Sequence, residues 1–224
     1  MMGHAGMAAT AVRYLRSVGA STSAGRPVDP LPRPELRAVR EDERSPVEAA
    51  EFRRVLGNFA SGVTIVTAPA AAGGTEGAAG TDGGGPSGPA GFACQSFSSL
   101  SLDPPLVAFM VARTSTTWPR IARAGVFCVN ILGTGQGDLC RGFAVSGADK
   151  FAGVPYEPSP ATGSPLLTGV PAWIDCAIHT VHTGGDHLIV VGRVEALGAA
   201  EDEGAAGTGP LLFHRGTFGS FESL

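Results

Sequence analysis

Apolar residues recur at Phe52, Val55, Leu56 and Phe59, the spacing of one helical face. Just before them, Ser45-Pro46-Val47-Glu48 combines an N-cap serine, a proline at the first helical position and a glutamate at the third. A helix is therefore predicted to run to about Phe59. After Ser61-Gly62 the pattern changes: Val63 to Thr67 is β-branched at every position and reads as a strand. Leu106 to Val111, entered through Asp103-Pro104-Pro105, and Val126 to Leu132 read the same way. Between them Thr117 is placed to cap a short helix, Trp118 to Ala124, stopped by Gly125. Asp138 to Ala144 follows a glycine-rich turn and predicts another helix. Trp173 to His182 and His187 to Leu197 predict two long strands joined through Thr183-Gly184-Gly185-Asp186. Ile174, Cys176 and Ile178 then share one face, as do Leu188, Val190 and Val194. Antiparallel strands with few helices and no βαβ rhythm predict a mainly β chain, a barrel accompanied by helices.

Composition refines this outline. The chain has 224 residues, 43% of them hydrophobic, enough to bury a core. Glycine (33) and proline (17) concentrate outside the patterned segments, which marks where order should fail. Residues 1–44 have little apolar periodicity and read as a tail; the first 28 carry Arg13, Arg16 and Arg26 with no acidic residue, a faint likeness to a transit peptide. One domain is expected over 45–224, interrupted at 69–89 by a flexible Gly/Ala-rich loop. Within that loop Gly83-Gly84-Gly85-Pro86-Ser87-Gly88 is formally G-x-G-x-x-G. Pro and Gly continue where a dinucleotide fingerprint needs a helix to open, so the Rossmann reading fails.

A net charge of −4 and no basic stripe argue against nucleic-acid binding. No apolar run reaches the ~18–20 residues of a membrane span. Lys150 is the one lysine beside fifteen arginines, and Phe151 follows it, which excludes a P-loop. Cys94, Cys128, Cys140 and Cys176 form no C-x-x-C, so buried thiols of a cytoplasmic protein are expected. His179 and His182 alternate faces of one strand, and no metal site is expected from them with His187. His187 beside Asp186 lacks the G-x-S-x-G elbow of a serine hydrolase.

Two polar patches remain. The stretch from Gly91 through Ser96 and Ser99 to Pro105 is rich in small hydroxyl residues, and its hydroxyls and amides suit a flat heterocycle with many acceptors; an ordinary serine-rich loop is the plain alternative. Arg113-Thr114-Ser115-Thr116-Thr117 precedes a helix and suits a phosphate, or is simple N-capping.

These patches resemble the flavin reductase-like family with the FMN-binding split-barrel fold, the reductase components of two-component flavin-dependent monooxygenases. The similarity opens at Phe52 to Thr67. It continues through Ser99 to Val107, Val129-Asn130-Ile131-Leu132, Asp149 to Gly153, Gly185-Asp186-His187 and His214-Arg215-Gly216. Weak singly, these landmarks are specific in their order. The resemblance implies an antiparallel split barrel, a homodimer, and hydride transfer from NADH or NADPH to FMN or FAD. Reduced flavin would then pass to a separate oxygenase. It further implies that Ala93, Cys94, Gln95, Ser96 and Ser99 line the flavin ring and ribityl chain. Arg113, Thr114, Ser115 and Thr116 would hold its phosphate region, and Phe143 and Lys150 would complete the site. His187 would contact and orient the nicotinamide without relaying a proton, with His214, Arg215 and Phe218 nearby. Phe218 stands where the family often has an aromatic with a polar handle. Reduction of another acceptor, a corrinoid or a ferric complex, and flavin binding without catalysis are the competing functions.

Overall fold

The computed structural model describes residues 47–70, 88–146, 149–200 and 209–223. The predicted tail, the Ser45 cap, most of the 69–89 loop and all but the last glycine of the G-x-G-x-x-G segment lie outside them. Helix α1 covers Ala49–Leu56. It stops short of Phe59 because Asn58 intervenes: its Nδ2 donates to the Arg54 and Val55 carbonyls, both at 3.0 Å. Those are acceptors that a continuing helix would have supplied with backbone amides. No residue of α1 is buried.

After the short β1 (Ser61–Gly62), β2 (Thr64–Ala68) is buried at all five positions. Val66 and Ala68 enter one core and Ile65 enters another, which explains a run with no polar alternation to water. β3 (Ala90–Cys94), β4 (Ser98–Leu102) and β5 (Pro105–Ala112) follow, then helix α2 (Trp118–Ala124) and β6 (Val126–Ile131). Gly125 ends α2 at φ 71°, a left-handed position that glycine adopts without strain. Thr117 makes no side-chain cap; Ser115 Oγ instead accepts from the Trp118 amide at 3.2 Å. Helix α3 (Gly137–Ala144) precedes the small pair β7 (Tyr156–Pro158) and β8 (Pro165–Leu167). The long hairpin is β9 (Ala172–Gly184) with β10 (His187–Ala199), turning at Gly185-Asp186 with Gly185 at φ 66°. Finally β11 (Leu212–His214) and β12 (Thr217–Gly219) form a tight hairpin against β1.

Seven strands make one antiparallel sheet in the order β3-β2-β6-β9-β10-β5-β4. The fold is mainly β, as predicted. Two register shifts in the β9–β10 ladder leave His179 and Glu195 as extra residues, and local twist rises at such bulges. The larger core packs Phe109, Phe127, Ile121, Val129 and Val190, with Phe109 edge-on to both Phe127 and Trp118. The second core, around Ile65, Leu132, Phe143 and Leu211, seats α3 against the opposite side of β2. No helix among the described residues is long and apolar enough to cross a membrane.

Candidate functional site

The chain leaves the ladder between β3 and β4, and there a cleft of about 980 Å³ opens. Ala93, Cys94, Gln95 and Ser96 form one wall. Ser96 explains the break. Its Oγ accepts from the Met110 amide and donates to the Met110 carbonyl, both at 2.9 Å, taking the place of a backbone partner. The Ser96 amide donates to the Cys94 sulfur, while no backbone carbonyl among the described residues receives a bond from the Gln95 N–H. The Gln95 amide, on the cleft wall, is available to an acceptor-rich ligand.

Met110, Val111 and Ala112 of β5 and Ser115 extend the cleft, and His187 stands opposite Ala112 in the ladder. His187 Nδ1 lies 2.7 Å from Asp186 Oδ1. With the carboxylate accepting there, Nδ1 carries the proton and Nε2 of the neutral ring is left as an acceptor. The His187 contact in turn holds the Asp186 carboxyl below its ordinary range. Arg113 braces this turn, its amide donating to Asp186 O at 3.0 Å and its Nη1 to Gly185 O at 3.2 Å.

The remaining wall comes from α3 through Cys140, Arg141 and Ala144, and from Phe213, Gly216, Thr217 and Phe218. The β11–β12 turn carries Arg215 at φ 48° and Gly216 at φ 84°, the two positive angles of a tight hairpin. Arg215 Nε donates to Asn58 Oδ1 at 2.9 Å, and its Nη2 donates to the same oxygen, tying the turn to the end of α1. A smaller hollow of about 270 Å³ continues past Gln95 toward Phe52, Leu56 and Phe59.

The sequence-predicted residues thus divide. Ala93, Cys94, Gln95, Ser96, Ser115, His187 and Phe218 line the cleft together. Arg113 stands behind the His187 turn, while Thr114 and Thr116 are exposed or nearly so beside it. Ser99 is exposed on the edge strand β4, and His214 is exposed at the end of β11. Phe143 is 1% exposed, packed edge-on to Phe151 at 5.1 Å inside the second core, so its side chain supports the cleft from beneath. Lys150 Nζ donates to Gly91 O at 3.2 Å on the far side of β3, and burial together with Arg120 lowers its pKa. Burial likewise pushes the Cys94 thiol up. His179 and His182 are exposed, and the described residues contain no group of three or more metal-ligating side chains.

Sequence reasoning missed Arg141. Its visible signal was Asp138 three residues earlier, which reads as an ordinary surface ion pair. It also missed two buried polar anchors. Asn130 Nδ2 donates to Ile65 O, Thr67 Oγ1 and Pro165 O while its Oδ1 accepts from the Leu167 amide at 2.8 Å. Asp175 accepts from the Ala161 and Thr162 amides at 3.0 and 2.9 Å.

A mainly antiparallel chain with a broken strand at a ligand-sized cleft places the protein among ligand-binding β folds, and the comparisons narrow this to a family. Residues 56–222 match the family described as "Flavin reductase like domain". A flavin reductase of Pseudomonas putida is 42% identical over 188 residues, covering 84% of this chain and 99% of that one. The reductase subunit HsaB of a flavin-dependent monooxygenase from Rhodococcus jostii is 44% identical over 176 residues, 79% of this chain and 80% of the relative. Among solved structures, nitrilotriacetate monooxygenase component B from Mycobacterium thermoresistibile superposes with a TM-score of 0.66 at 43% identity, covering 77% of this chain and 86% of that one. The NADH:FAD oxidoreductase SgcE6 of Streptomyces globisporus, in complex with NAD and FAD fragments, gives 0.64 at 32%, covering 77% and 92%. The chain belongs to the flavin reductase-like family.

Proposed function

We propose that this chain is an NAD(P)H-dependent flavin reductase that supplies reduced FMN or FAD to a separate monooxygenase. The observation that carries the reading, beside family membership, is the cleft itself. Its volume suits a flavin and part of a second ligand, and it joins the spare Gln95 amide and the small side chains of Ala93 to Ser96 to a tautomer-fixed histidine. The donor set fits the group: an isoalloxazine edge offers carbonyl and ring-nitrogen acceptors, and amides match them without any titrating side chain. Flavin, when bound, supplies the two-electron acceptor chemistry for a nicotinamide hydride donor.

The protein's part is positioning and field. Ala93 to Ser96 hold one ligand face, and the Gln95 amide favours negative charge developing on the bound ring system. Cys94 stays a neutral thiol there. His187, oriented by Asp186, offers Nε2 to a carboxamide N–H and so fixes the nicotinamide, with His214 and Arg215 at the rim of that site. Arg113 acts on this site by holding the turn. Ser115 and its threonine neighbours serve the phosphate side, and Lys150 and Phe143 keep β3 in place behind the flavin.

The same reading extends to a split-barrel homodimer formed by the domain from residue 45 onward. Phe52, Val55, Leu56 and Phe59 are 51–82% exposed, an apolar face that a second copy would cover. Four free, buried thiols support a reducing, cytoplasmic setting.

Mixing the protein with NADH or NADPH and either FMN or FAD tests the proposal through absorbance at 340 nm. Flavin-dependent loss of absorbance is expected, and a yellow protein inert to both nicotinamides would overturn it. His187→Ala is expected to raise KM for NADH about tenfold while turnover persists. Unchanged KM with abolished turnover would show His187 in the chemical step instead.

A further inference from the structure

Two side chains on the cleft wall can carry positive charge, Arg141 and His187. They are unequal as anion sites. An imidazole carries charge only when protonated, and His187 already gives its Nδ1 side to Asp186, whereas a guanidinium is always charged. Arg141 is paired with Asp138, through Nε at 3.1 Å and Nη2 at 2.6 Å to the single oxygen Oδ1. That ion pair takes two of the guanidinium's five N–H groups and leaves three. Asp138 is 95% exposed, so water screens its charge, and the pair orients Arg141 more than it neutralises it.

Arg141 also lies over an aromatic ring. Its Cζ lies 5.3 Å from the centroid of the Phe218 ring, which is itself met edge-on by Phe213 at 5.4 Å. Gly137, at the start of the same helix, lies beside the Phe218 ring, where a Cβ would make an ordinary contact at 3.5 Å. On the inner side of α3, buried Cys140 and Phe143 fix the helix against the second core. A guanidinium fixed in this way loses little rotamer freedom on binding, and its planar fork matches phosphate oxygens. The other guanidiniums near the cleft are engaged in structure, Arg113 with Gly185 and Arg215 with Asn58.

We propose that Arg141, seated on Phe218, binds the pyrophosphate of the nicotinamide dinucleotide. This rests on the reductase reading above. The dinucleotide brings two phosphate charges into the cleft, and Arg141 meets them on the α3 wall. It acts in binding and takes no part in hydride transfer.

The test compares donors with and without phosphates. For the native protein and for R141Q, R141K and F218L, kcat/KM is measured with NADH and with dihydronicotinamide riboside, which has no phosphate. Each donor is paired with FMN and with riboflavin as acceptor. R141Q is expected to lower the preference for NADH over the riboside about tenfold, and R141K and F218L about threefold, while the preference for FMN over riboflavin holds within twofold. The salt dependence of KM for NADH should flatten in R141Q. An unchanged donor preference overturns the proposal. So does a fall in the FMN preference as large as any fall in the donor preference, because the guanidinium would then serve the flavin's own phosphate. Native protein that oxidises neither donor would instead sink the reductase reading, and far-ultraviolet circular dichroism identifies any variant that fails to fold.

Discussion

Gly192 lies at the first bulge of the β9–β10 ladder, and the Phe127 ring occupies the space that a Cβ would need. Phe127 is fully buried and pinned edge-on to Phe109, so it has nowhere to retreat. Gly192→Ala should destabilise the fold by about 1–3 kcal/mol through overpacking. Differential scanning calorimetry would read this as a melting temperature lower by several degrees. The neighbouring thiols make a second prediction. Burial, with Asp175 opposite in the ladder, pushes Cys128 up to about 12, and burial raises Cys176 as well. A thiol whose pKa is raised by folding contributes stability below its unfolded pKa of about 9 and loses it as pH climbs through about 12. Denaturant midpoints should therefore fall between pH 9 and 12, and Cys128→Ala should flatten that alkaline slope. An unchanged slope would place the ionisation elsewhere.

Among the elements, β8 depends on one side chain from another strand. Asn130 on β6 meets Pro165 O and the Leu167 amide, fastening a three-residue strand that has only β7 as its ladder partner among the described residues. Removing the amide leaves several buried polar groups unsatisfied, each costing about 1–3 kcal/mol. Asn130→Ala should cost about 2–4 kcal/mol in total. Hydrogen exchange should show faster exchange across residues 155–168 than in the β9–β10 hairpin. Equal loss of protection throughout would mean that this segment unfolds only with the whole. The effect reaches the cleft indirectly, since Tyr156 packs on Phe151 and Phe151 on Phe143 beneath α3.

Over the whole molecule, the unburied apolar face of α1 is the feature that a single chain does not explain. Phe59 is 82% exposed and Phe52 56%, and the hollow they border runs into the cleft at Gln95. If a second copy covers this face, the double variant Phe52→Asp, Phe59→Asp should halve the mass seen by light scattering. It should also weaken flavin binding, because the rim near Gln95 would lose its cover. A native protein already monomeric at micromolar concentration would refute the homodimer.

Much of this was legible in the chain's own pattern. The strands β2, β5, β6, β9 and β10 and all three α-helices were marked by periodicity or by a punctuating residue, because one buried face imposes a local repeat that survives in sequence. Strands β3 and β4 were not, since their small and hydroxyl residues read as a polar loop. The very short strands were not, for two or three residues carry no period. The end of α1 was misjudged for a related reason: side-chain capping by Asn58 competes with a helix that the apolar spacing alone would continue. At the site, the segment around Gln95 and the Gly-Asp-His turn stood out through composition and through resemblance to a family. Neither Arg141 nor the seating of Phe143 did. What α3 turns toward the cleft and what it turns toward the core depends on β2, β11 and β12, which lie far away in the chain. Local sequence determines which segments become helix or strand, while the meeting of distant segments determines which charge faces a ligand, since that is settled by packing across the fold.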